Sequence, residues 1–158
     1  MHVDLYERIW MWGAGAIVVF FLGAIGFATV IQGRVPPSHV ELLDPRGVFT
    51  DPRFSEPGVT TNPDGSVEVN LVAQIWIFRP NEIRVPAGRP VTFRMTSPDV
   101  IHGFQIVGTN SNTMVVPGYV SQFTTTFDTP GEYLIVCNEY CGTNHHTMAA
   151  TLIVEEGT

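Results

Sequence analysis

Between Arg8 and Arg34 the chain carries no charge, and residues 9–32 read IWMWGAGAIVVFFLGAIGFATVIQ. At about 1.5 Å per residue these positions make a helix of roughly 36 Å, enough to cross a hydrocarbon layer of about 30 Å with some tilt. Trp10 and Trp12 stand at one end, where indoles favour a membrane interface. Gly13, Ala14, Gly15, Ala16, Gly23, Ala24, Gly26 and Ala28 allow close approach of a neighbouring helix. The competing reading is a cleaved signal peptide. Against it, the apolar run exceeds the usual core of about 7–15 residues, and the tail over 1–8, MHVDLYER, has two acids and one arginine rather than a basic cluster. The expectation is an uncleaved transmembrane helix. One arginine near each end leaves its orientation open.

After this segment the pattern changes twice. Residues 33–65 are rich in proline, glycine and aspartate and read as a linker and irregular lead-in. From Ser66 the period becomes two. Val67, Val69, Leu71, Ala73, Ile75 and Ile77 alternate with Glu68, Asn70, Val72, Gln74, Trp76 and Phe78, which predicts one strand with one buried face. Further strands are predicted at 82–86, 91–96, 100–107, 119–127, 132–137 and 149–155. Turn signals separate them at Ser97-Pro98-Asp99, Gly108-Thr109-Asn110, Pro117-Gly118 and Thr129-Pro130-Gly131. No long amphipathic helix follows residue 33. The region 66–158 is therefore an all-β domain, a sandwich or barrel.

Composition narrows the function. Net charge is −7, which argues against nucleic acid as a partner. Two cysteines do not make a disulfide scaffold. No nucleophile–base pair, paired-carboxylate site or phosphate loop emerges, so bond chemistry within this chain alone is not expected.

The chemistry gathers in one stretch, VCNEYCGTNHHTMAA, residues 136–150. It contains Cys137, Cys141, His145 and Met148 and lies between two predicted strands. A loop pinned at both ends has little entropy left to lose on binding a metal. His102, in SPDVIHGF, is a further candidate beside another strand. Thiolates, imidazoles and a thioether select copper over calcium or magnesium, which take oxygen ligands. Structural zinc is less suited, because it seldom uses methionine and the usual paired spacings are missing. A Cys137–Cys141 disulfide and a core role for Met148 are the bland alternatives. His2 and His39 join no motif and read as surface residues.

The motifs SPDVIHGF and PGEYLIVCNEYCGTNHHTM, with one apolar span, resemble subunit II of the haem–copper oxidases, and the short single-span form is similar to the B-type branch. The resemblance covers residues 9–158. It implies a cupredoxin-like Greek-key β-barrel or sandwich carrying a binuclear CuA centre of two copper ions. Cys137 and Cys141 would bridge the ions and His102 and His145 would each bind one. Met148 and the backbone carbonyl of Glu139 would be weak ligands. The family's spacing selects His145 over the adjacent His146. In some relatives a glutamate at the position of Glu139 also offers its side chain to magnesium at the interface with subunit I; others carry glutamine.

The implied role is electron input from cytochrome c or a small copper protein, with onward transfer to haem in subunit I, where oxygen is reduced to water and protons are pumped. The copper domain would then lie on the extracytoplasmic side of the cell membrane. Trp76 and Phe78, on the less buried side of their predicted strand, resemble the aromatic patch at which the donor docks. Beyond residue 33 there are 7 arginines and 13 acids, a net of −6 that could steer a basic donor. However, Arg79, Arg84, Arg89 and Arg94 follow the aromatic pair. The rivals are a CuA subunit of a nitric oxide reductase and a membrane-tethered copper carrier or electron shuttle with no catalytic partner. A nitrous oxide reductase would need a large propeller ahead of the copper domain.

Overall fold

The structure, a computed structural model, describes residues 4–31 and 41–157. They fall into two compact units, divided between His39 and Val40. The expectations for His2, His39 and the stretch 32–40 of the linker lie outside the described residues. In the first unit a single helix, α1, runs Leu5–Val30. It begins four residues before the apolar run because Asp4 caps it, accepting a hydrogen bond from the Tyr6 N–H at 2.8 Å. None of its residues is buried, and its mean hydropathy reaches 2.2 over the most apolar stretch. A helix of this length and hydropathy suits a lipid surround.

The second unit contains eleven strands: β1 (Glu41–Leu42), β2 (Gly58–Thr61), β3 (Val67–Gln74), β4 (Ile77–Arg79), β5 (Glu82–Pro86), β6 (Pro90–Thr96), β7 (His102–Ile106), β8 (Asn112–Val115), β9 (Tyr119–Thr126), β10 (Gly131–Val136) and β11 (Ala149–Glu155). One sheet has the order β1-β9-β6-β3-β2 with β4 also on β3, and the other the order β5-β11-β10-β7-β8. The pairs β3/β6 and β5/β11 are parallel; the others are antiparallel. Alternate residues of both sheets meet in one core. At its centre Phe93 stacks on Phe123 at 5.1 Å and tilts against Phe104 at 5.5 Å.

Three sequence expectations need correction. The single strand expected to continue to Phe78 ends at Gln74. The chain turns through Ile75 and Trp76, whose peptide is cis, and β4 folds back on β3 with Phe78 opposite Ala73. The reversal inverts the burial pattern. Ile75 and Ile77 become exposed, and Phe78 is fully buried with its ring 5.8 Å from Phe104. No glycine or proline marks this turn, so the alternation appears unbroken in the sequence. The second is β8, a strand in a stretch that carries no predicted element between the turn signals at 108–110 and 117–118.

The third concerns residues 41–65, which are not a linker. They supply β1, a 3₁₀ turn over Pro45–Thr50, and β2, which pairs with β3. Val48 and Phe54 are fully buried against Val72 and Val120, and so cover the outer face of the first sheet. This is why Val72, expected on the less buried side, has no exposure. Charges tie the layer down. Arg53 pairs with Glu41 and Asp51, while Arg94 reaches Glu41 at 3.4 Å and Glu68 at 3.2 Å. The hydrogen bond from Arg53 holds the Asp51 carboxyl below its usual range, against a smaller opposing effect of burial.

Candidate metal centre

Strand pairing brings the candidate ligands together. β10 ends at Val136, one residue before Cys137, and β11 begins at Ala149, one residue after Met148. The Cys137 N–H donates to the Met148 carbonyl at 3.2 Å and closes the base of the loop. His102 opens β7, which pairs with β10, so the histidine faces the loop from the neighbouring strand.

The sulfur atoms of Cys137 and Cys141 lie 3.7 Å apart, and both cysteines are free and nearly buried. The Met148 sulfur is 3.7 Å from the Cys141 sulfur, and the His145 Nδ1 is 3.6 Å from it. The Cys137 sulfur is 3.1 Å from the Glu139 carbonyl oxygen. One ligand atom each of His102, Cys137 and Cys141 lies within 4.8 Å of the others. His145 is half-buried beside the ring of Tyr140, whereas His146 is exposed. The Glu139 side chain is also exposed.

His102 has no solvent exposure. Its Nε2 is 2.9 Å from Asp99 Oδ1, and a carboxylate there can only accept, so the ring proton sits on Nε2. That leaves Nδ1 as a lone-pair donor, and this buried atom has no hydrogen-bond partner. Burial would raise the Asp99 carboxyl. Hydrogen bonds from His102, from the Ile75 and Val100 N–H groups and from Ser97 outweigh burial and hold it below its usual range. Burial, reinforced by the neighbouring Cys137, pushes the Cys141 thiol up to about 11. Both observations fit a site built for metal. An orphaned imidazole nitrogen and two desolvated thiols are costly when left alone and favourable when a soft cation takes them.

Trp76 is half-buried at the β3–β4 turn and approaches Gly142, the residue after Cys141. A Cβ on Gly142 would lie 3.1 Å from the indole Nε1, and the φ of +121° at this position also favours glycine. Phe78, by contrast, belongs to the core and cannot meet a donor. Around Trp76 and the loop, Ile75, Val100, Ile101 and Tyr140 are exposed. Asp99 and the glycines at 103 and 142 went unrecognised in the sequence. The spacing of Asp99, three residues before His102, is the one local signal that could have pointed to it.

Residues 68–156 match the family described as cytochrome c oxidase subunit II, periplasmic domain. The chain is 40% identical over 156 residues to a cytochrome c oxidase subunit 2 of Thermus thermophilus, covering 96% of this chain and 92% of that protein. A second Thermus thermophilus subunit 2 is 42% identical over 136 residues, covering 84% of this chain and all of that one, 100%. Among solved structures, a chain of a haem–copper terminal oxidase dimer matches with a TM-score of 0.69 and 31% identity, covering 95% of this chain and 99% of that chain. The periplasmic domain of cytochrome oxidase subunit II from Bradyrhizobium japonicum matches in fold, with a TM-score of 0.53 at 20% identity over 56% of this chain and 83% of that chain. The two-sheet architecture is thus the cupredoxin-like one, and this chain belongs to the cytochrome c oxidase subunit II family.

Proposed function

We propose that this chain is the electron-input subunit of a haem–copper terminal oxidase. Its CuA centre of two copper ions would be held by Cys137, Cys141, His102 and His145, with Met148 and the Glu139 carbonyl as weak ligands. The observation that carries this reading is the meeting of two free, buried thiols with an unpartnered, buried imidazole nitrogen. When bound, the copper pair supplies a one-electron redox centre whose charge is shared over both metals. The protein's part is positional. Asp99 keeps the His102 proton on Nε2 and so keeps Nδ1 free for the metal. The pinned loop holds the two sulfurs close before any metal arrives, which keeps reorganisation small.

Electrons come from cytochrome c or a small copper protein that docks on Trp76 and the exposed Ile75, Val100, Ile101 and Tyr140 around it. They leave for haem in subunit I, where oxygen is reduced to water and protons are pumped. α1 anchors the chain in the lipid bilayer, with the copper domain on the extracytoplasmic side. A magnesium ion at Glu139 would draw further ligands from subunit I. Among the described residues, the only cluster of three candidate ligands is His102, Cys137 and Cys141.

The test is copper reconstitution of the purified full chain, followed by metal analysis and electron paramagnetic resonance. Two coppers per chain sharing one unpaired electron are expected. A single copper, or zinc in preference, overturns the assignment. In the assembled oxidase, Trp76→Ala should slow reduction by the donor and leave the copper signal unchanged; an unaltered rate removes Trp76 from the input route.

A further inference from the structure

Gly103 follows His102 on β7, and its position is explained by the loop above it. In the ladder Val136 pairs with Gln105, so two residues further along Asn138 comes opposite Gly103. A Cβ on Gly103 would collide with the Asn138 side-chain oxygen and lie 2.8 Å from the Glu139 backbone nitrogen. The first contact could be relieved by rotating a side chain, but the second is with backbone and forces the loop to move. The backbone of Gly103 is not in the left-handed region, so close approach, and not conformation, is what requires glycine here. The Asn138 side chain lies across the gap, and its Nδ2 donates to Asn112 Oδ1 on β8 at 3.1 Å. One residue beyond Asn138, the Glu139 carbonyl comes within 3.1 Å of the Cys137 sulfur.

We infer that Gly103 and the Asn138–Asn112 hydrogen bond are positioning elements that fix the Glu139 carbonyl against the metal pair. Gly103 sets how far the loop descends onto β7, and the amide bridge across three strands keeps it there. A methyl at position 103 lifts residues 138–139 and moves the carbonyl relative to the sulfurs. Cys137 and His102, each at a strand end, stay in place. The consequence is an altered redox equilibrium with an intact binuclear site. This inference rests on the copper assignment proposed above.

The test uses copper-loaded full chains: the native protein, Gly103→Ala, Asn138→Ala and, as a remote control, Gly58→Ala, whose added methyl meets nothing within 4 Å. Copper content, the paramagnetic resonance spectrum, the equilibrium constant with a redox mediator, and thermal stability are measured for each. Gly103→Ala should keep the native copper content while shifting the equilibrium constant about threefold or more, where tenfold is about 59 mV for one electron. Its spectral splittings should change as well. Asn138→Ala should shift the same readouts by less, and Gly58→Ala should shift none. A Gly103→Ala protein that loses only stability, with native potential and spectrum, overturns the inference. Should Gly103→Ala not fold, Asn138→Ala decides, and a native potential there overturns it equally. Failure of the native protein to bind two coppers would instead defeat the copper assignment, so the two failures are distinguishable.

Discussion

The loop over 137–148 and the lead-in over 41–61 treat their buried polar groups in opposite ways. In the lead-in the part-buried charges find partners within the chain: Arg53 pairs with Glu41 and Asp51, and Glu41 also meets Arg94 of the sheet beneath. In the loop and the strand beside it, two free thiols are buried close together and one buried imidazole nitrogen, His102 Nδ1, has no partner. An unsatisfied buried polar group costs about 1–3 kcal/mol. His102 Nδ1 is such a group, and the proposed metal would satisfy it together with the two thiols. On the proposed function the lead-in serves stability and the loop binding, and each should fail in its own way when altered.

The largest effect is expected at the sulfurs. Cys137→Ser or Cys141→Ser should abolish the shared-electron signal, and a persisting binuclear spectrum would remove that residue from the bridge. On the other side of the comparison, Phe54→Ala empties a fully buried site in the layer over the first sheet. The loss should be about 3–5 kcal/mol of unfolding free energy, with copper content unchanged in the protein that remains folded. A denaturation midpoint equal to the native one would return the lead-in to the status of a linker. Asp99→Ala removes the group that orients His102 and should weaken copper affinity by about 10–100-fold with little loss of secondary structure. Competition against a chelator measures this, and native affinity would mean that Asp99 serves the β3–β4 turn alone.

The difference between the two regions also governs what was legible in the sequence. The metal loop is written locally. Two cysteines, two histidines and a methionine fall within twelve positions between two strands, and these types favour copper over calcium or magnesium. β6, with clean alternation, could be read for the same reason, as could β10 and β11, which are short apolar runs. The lead-in is written only in tertiary terms: Val48 and Phe54 sit among prolines and acids and become core because Val72 and Val120 offer them a surface. Phe78 was misassigned because a turn without turn residues shifted the phase of its burial. Gly103 and Asp99 escaped notice because their roles depend on atoms that neighbour them only in space.

The division of ligands between β7 and the later loop has a consequence for biogenesis. His102 reaches the cysteines only after β10 has paired with β7. A nascent chain would therefore offer copper the sulfur donors without the buried imidazole. The complete set of candidate ligands exists only in the closed sandwich, and the loop alone lacks the imidazole.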